Sequence, residues 1–216
     1  MVIYKLMDNE YIPAVVTVGE CSTPVWRQNR WDKGEFAEYI RKNGCGHCCT
    51  AMAANLHGVE ITPYEEYENC RKMWGEPQIG KQYHYMSVAG IRKSLNSIGV
   101  TAQEYGVINE KRLDDVKAHI TQSLSEGKQV IFWSDPTERF PENPFSKGEH
   151  YVLAAGFDEN GKVVVLNSSE KWTSEGIQLV DIDTVISALR WDSDPQDTTW
   201  GEPGNHKHCS GYVVVG

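Results

Sequence analysis

Apolar positions keep helical spacing through the front of this chain and gather into short dense runs towards its back. Leu113, Val116, Ile120 and Leu124 recur three or four apart, which predicts an amphipathic helix capped by Asn109 and ending before Gly127. Residues 46–56 read as another helix, stopped by Gly58. Thr62-Pro63 supplies a cap and a first-turn proline for a third, to about Met73 and Gly75. Ser87 caps a fourth, over 88–98, stopped by Gly99.

Beyond these the period shortens. Residues 100–105 are strand-like, 129–134 form a short buried strand, and 150–157 with 162–167 make a hairpin around Asn160-Gly161. A third strand over 177–180, a helix capped by Asp181 or Asp183, and a last strand over 212–215 complete the pattern. Residues 1–18 suit a strand pair or an arm over the core. Residues 24–43, 135–148 and 191–210 lack a clean period and read as loops. Helices first and an antiparallel meander after them predict an α+β fold in one domain spanning all 216 residues.

Composition narrows the function more than the fold. Thirty acidic against 21 basic residues leave a formal charge of −9, the wrong sign for a phosphate backbone, so no nucleic-acid partner is expected. No apolar run approaches a membrane span, and residues 1–8 lack the basic start and long apolar core of a signal peptide. A cytoplasmic location with reduced cysteines is the expectation, and secretion follows only if a leader was removed. The oligomeric state is not legible.

The chemistry concentrates at Gly44-Cys45-Gly46-His47-Cys48-Cys49, where a cysteine between two glycines opens a helix. Unpaired N–H groups and the positive helix end converge there and favour thiolate, the form that attacks carbonyl carbon. Later, His150 opens an apolar strand and Asn167 closes the next one. Cysteine, histidine and asparagine in that order suit a papain-type nucleophilic site. Each also has a plain structural role: a small core residue, a half-exposed strand histidine, a strand-ending turn residue.

From about Val25 to Ser169 these residues resemble the C39-like (double-glycine-peptidase-like) branch of the papain-like cysteine peptidases. The pieces are Gln28-Asn29-Arg30-Trp31, the Gly-Cys-Gly helix start, and Glu149-His150-Tyr151-Val152 with its hairpin. The resemblance implies a papain-like fold with the nucleophile helix packed on the antiparallel sheet. It implies Cys45 as nucleophile, His150 as base, Asn167 as its orienter, and Gln28 with the Cys45 N–H as the oxyanion hole. Two positions depart from the family pattern: His47 stands where many relatives have proline, and Asn167-Ser168 where many have Asp-Pro.

The resulting expectation is a thiol hydrolase that cleaves an amide, most naturally a peptide bond, through an acyl-thioester and without a cofactor. Acyl transfer or small-amide cleavage at the same site, and an inert peptide-binding domain, are the alternatives. A rival metal reading uses Cys45, Cys48 and Cys49 with His47, or His206, His208 and Cys209. Aromatic residues, Trp26, Trp31, Tyr83, Tyr85, Trp133, Trp172, Trp191 and Trp200, are expected around the cleft and in the core.

Overall fold

The computed structural model of the chain describes residues 1–32, 37–74, 87–106, 112–134, 141–189 and 211–216. The expected features at Gly75, Tyr83, Tyr85, Asn109, 191–210, and the His206, His208 and Cys209 group lie outside these residues.

Residues 1–24 form an antiparallel sheet of their own: β1 (Val2–Leu6), β2 (Ala14–Val18) and β3 (Cys21–Pro24). A 3-10 turn, Gln28–Arg30, and a short helix α1 (Ala37–Asn43) follow where the sequence suggested only a loop. Their apolar residues pack without a run long enough to show a period: only Ala37 and Ile40 of α1 are buried.

Three helices then appear where expected: α2 (Cys45–Leu56), α3 (Pro63–Trp74) and α4 (Val88–Ser97). The Thr62 side chain accepts from the Glu65 N–H while Glu65 accepts from the Thr62 N–H, a reciprocal cap. Ser87 caps α4 through the Gly90 N–H at 3.0 Å. Helix α2 is the central one, with every residue from Gly46 to Leu56 buried.

The main sheet contains β4 (Ala102–Gly106), β5 (Gln129–Ser134), β6 (His150–Phe157), β7 (Val163–Leu166), β8 (Ile177–Val180) and β9 (Gly211–Val215). All pairs are antiparallel, in the order β4-β9-β5-β6-β7-β8. Strands β5 to β8 form the expected meander; β9 departs from it by inserting between β4 and β5.

Both faces of this sheet are covered. Ile131, Tyr151, Leu153, Val164 and Val213 pack with Cys48, Met52 and Ala53 of α2. Their neighbours Val130, Phe132, Val152, Val165 and Val214 pack with α5 (Leu113–Ser125) and α6 (Ile182–Ala188). Burial on both sides explains why these strands read as continuous apolar runs. Gly156 holds φ of +142° at a register shift in β6, where a side-chain carbon would come within 2.8 Å of Val2. That bulge lets the small sheet settle on the large one. The architecture is α+β, with the cysteine-bearing helix packed on the antiparallel sheet.

Candidate active site

Cys45 is the first residue of α2 and keeps partial exposure. Gly44, just before it, has an ordinary φ of −83°, so no positive backbone angle requires glycine there. Glycine is required for space instead: a Cβ would lie 2.4 Å from the Ile40 carbonyl oxygen, and α1 could not approach the helix start.

The Cys45 thiol accepts from backbone N–H groups of Tyr151, Gly46 and Cys45 itself. The first of these seats it at the opening of β6, one residue past His150. Those amides favour the thiolate, but burial outweighs them and Glu149 adds its negative charge, so the thiol pKa is raised. The lowered pKa expected from the helix terminus is therefore not observed.

His150 is buried and donates from Nε2 to Asn167 Oδ1 at 2.8 Å. Register explains the contact. Leu153 lies opposite Leu166, so Asn167 continues β7 beside Val152, within diagonal reach of His150 on the same face. Burial lowers the His150 pKa to about 4, and the Asn167 bond only partly opposes this. Cysteine and histidine thus rest as a neutral thiol and a neutral imidazole.

The Asn167 amide has a determined orientation. Its Nδ2 donates to Gln178 Oε1 at 2.9 Å and to the Phe145 carbonyl at 3.1 Å. Its Oδ1 also accepts from the Ser169 N–H at 3.0 Å. With both donors spent, only Oδ1 faces the imidazole, and an acceptor there requires the proton on Nε2. Gln178 is itself held by the Pro144 carbonyl at 2.7 Å. Sequence reasoning missed Gln178, because an alternating β8 gives no sign of what its polar residues touch.

Gln28 lies on the 3-10 turn, buried, and faces the same cleft as His150. Its backbone N–H donates to the Ser168 carbonyl at 3.1 Å, and its Oε1 accepts from the Ser168 hydroxyl at 3.1 Å. The side-chain donor Nε2 makes a long bond of 3.3 Å to the Arg41 carbonyl. Consecutive residues therefore hold the two sides of the site: Asn167 orients His150, and Ser168 orients Gln28. The serine hydroxyl supplies a bond that proline at that position cannot make.

His47 departs from the family pattern to structural effect. Its Nδ1 pairs with Glu66 Oε2 on α3, while Glu66 Oε1 accepts from the Cys70 thiol at 3.1 Å and the Ser94 hydroxyl at 2.8 Å. These buried groups tie α2 to α3 and α4. Among the described residues, His47, Glu66 and Cys70 form the group with metal-ligand spacing, their ligand atoms within 4.8 Å of one another. The cysteines proposed for a metal behave otherwise: Cys48 and Cys49 are fully buried, with thiol pKa values raised well above the ordinary range by burial.

A cleft of about 590 Å³ lies in front of His150 and Gln28, walled by Ser146 and Trp172. Trp172 is the one described tryptophan on it. Trp26 and Trp31 line a separate pocket of about 540 Å³ with Tyr11 and Tyr64, and Trp133 packs in the core against Tyr151 at 4.5 Å.

A profile of the Peptidase_C39 like family matches residues 22–198. The chain belongs to that family, a group of cysteine peptidases. No curated protein sequence matches it. Among solved structures it is similar to the peptidase domain of Streptococcus ComA, a bi-functional ABC transporter involved in a quorum sensing pathway. The identity is 11%, the TM-score 0.45, and the match covers 81% of this chain and 91% of that one. It is also similar to a C39-like peptidase from Bacillus anthracis, at 14% identity, a TM-score of 0.46, and coverage of 80% and 88%. A double glycine motif protease from an AMS/PCAT transporter, in complex with the leader peptide, matches at 12% identity with a TM-score of 0.41. That match covers 79% of this chain and 81% of the protease. Among the described residues, no helix is long and apolar enough to cross a membrane.

Proposed function

We propose that this protein hydrolyses an amide, a peptide bond in its natural substrate, with Cys45 as nucleophile. The observation that carries the reading is the bond from His150 Nε2–H to an Asn167 whose amide is held in one orientation. It leaves Nδ1 as the basic nitrogen, on a histidine adjacent to the residue whose N–H seats the thiol.

As the substrate carbonyl enters, Nδ1 takes the thiol proton and Sγ bonds to the carbonyl carbon. The carbonyl oxygen becomes an oxyanion, held by the Cys45 N–H and by Gln28 Nε2 once it leaves the Arg41 carbonyl. Collapse breaks the C–N bond, and Nδ1 returns its proton to the departing amine. Water then loses a proton to Nδ1 and attacks the thioester, and the expelled sulfur regains that proton as the acid leaves. Because both partners rest neutral, the ion pair forms in the substrate complex rather than before it.

The raised thiol and lowered imidazole favour one second reading, a domain that binds peptide without cutting it. Incubation with a mixed peptide library, read by mass spectrometry, separates the two. New termini that vanish in Cys45→Ala and His150→Ala establish hydrolysis. Capture without cleavage by both wild type and Cys45→Ala establishes the binding domain, and joined products in place of free acids establish acyl transfer.

A further inference from the structure

The chain carries a formal charge of −9, yet its cleft has the opposite sign. Arg41, Lys42, Lys147 and Lys171 line it beside His150 and Gln28, and no carboxylate is among its described lining residues. The neighbouring acids are placed elsewhere. Glu170 pairs with Arg30 at 2.7 Å, and Glu149 acts on Cys45. Glu38 meets Lys42 at 2.7 Å, an exposed pair that a substrate anion can displace at little cost. Lys147 lies 6.0 Å from the centre of the Trp172 ring, which holds its ammonium at the cleft wall.

The cations also have a side. The group that protonates a departing amine must stand beside it, so the cleft facing His150 receives the leaving part of the substrate. Cys45 is not among the residues lining this cleft. The cationic wall therefore faces the leaving segment.

We propose that the cleft is a carboxylate subsite, and that the substrate carries an anionic group on the leaving side of the amide. This rests on the hydrolase reading for which side is which. Two sources offer that chemistry, an Asp or Glu side chain just beyond the cut and a free C-terminal carboxylate. Both place a negative oxygen among ammonium and guanidinium donors in a partly enclosed space, where Coulomb attraction exceeds its value in open water.

The test is fluorescence-polarisation binding of matched labelled peptides to the Cys45→Ala chain, which cannot turn them over. One set carries Asp or Glu, one carries Asn or Gln, and each has a free or an amidated C-terminus. The acidic set should bind roughly tenfold tighter. That preference should fade at about 0.5 M salt, where screening falls to a few ångströms, and in the exposed double variant Lys147→Gln/Lys171→Gln. Loss on amidation identifies the terminal carboxylate, and survival identifies the side chain. Equal or undetectable binding of the acidic set overturns the subsite. Tight acidic binding with no cleavage by wild type overturns the hydrolase reading and keeps the subsite. Cys45-dependent cleavage that ignores charge does the reverse.

Discussion

Among the described residues two histidines are almost fully buried, His47 at 1% exposure and His150 at 6%, and their partners differ. His47 meets a carboxylate, and Glu66 is further bonded to Cys70 and Ser94, so the cluster joins three helices. His150 meets a neutral amide and borders a cleft. A carboxylate partner makes a clamp that resists separation. An amide partner fixes a tautomer without placing a charge beside the ring. The same side chain is therefore a fastener at one position and a candidate base at the other.

The sharpest break of this comparison is Cys45→Ala. Turnover should fall by at least about ten-thousand-fold, while the unfolding free energy from urea titration stays within about 1 kcal/mol of wild type, since a small partly exposed group is lost. An inactive variant that is also strongly destabilised would mean that the two regions are not separable.

Glu66→Ala should do the opposite. Removing one partner of a buried pair costs roughly 3–5 kcal/mol, read as a lower denaturation midpoint. The folded fraction should retain kcat within about tenfold, because the clamp does not face the cleft. Unchanged stability would refute the fastener role.

The third test uses acid. The unfolded chain protonates His150 near its ordinary value of 6.5, whereas the folded chain does so at about 4. Stability is therefore present above pH 6.5 and lost as pH falls through that window to about 4. The shift corresponds to about 3 kcal/mol. His150→Gln should lose that much less than wild type between the two pH values in parallel urea titrations. Identical pH slopes would show that His150 is not held neutral.

The smallest effect concerns the bond to Gln28. Ser168→Ala removes the hydroxyl bond to Gln28, worth about 0.5–1.5 kcal/mol, together with a contact to the buried Cys48 thiol. It should lower kcat three- to tenfold, by about the same energy, with little change in KM. A change confined to KM would mean that Gln28 binds the ground state rather than the oxyanion.

Much of the fold was legible because local chemistry dictates it. Thr62 and Glu65, Ser87 and the dense run at 129–134 carry their structure in a few adjacent residues. Helix α1 was missed because two buried positions in seven residues make no readable stripe. Cys45, His150, Asn167 and Gln28 were legible as residues at element ends, and their expected electrostatics were not. A helix terminus argues for a lowered thiol pKa, but only packing reveals how much protein surrounds the sulfur.

What the sequence determined by itself was the order of elements, the α+β class and the identity of the residues that open and close them. Those properties depend on neighbours within a turn or a pleat. The tertiary structure alone decided that β9 enters the sheet between β4 and β5, that Gln178 locks Asn167, and that Ser168 carries Gln28. It also decided that Glu66 answers His47, and that four cations meet in one cleft of an acidic protein. Hydrogen bonds and charges act over a few ångströms of space without regard to separation along the chain, so their partners exist only once the chain has folded.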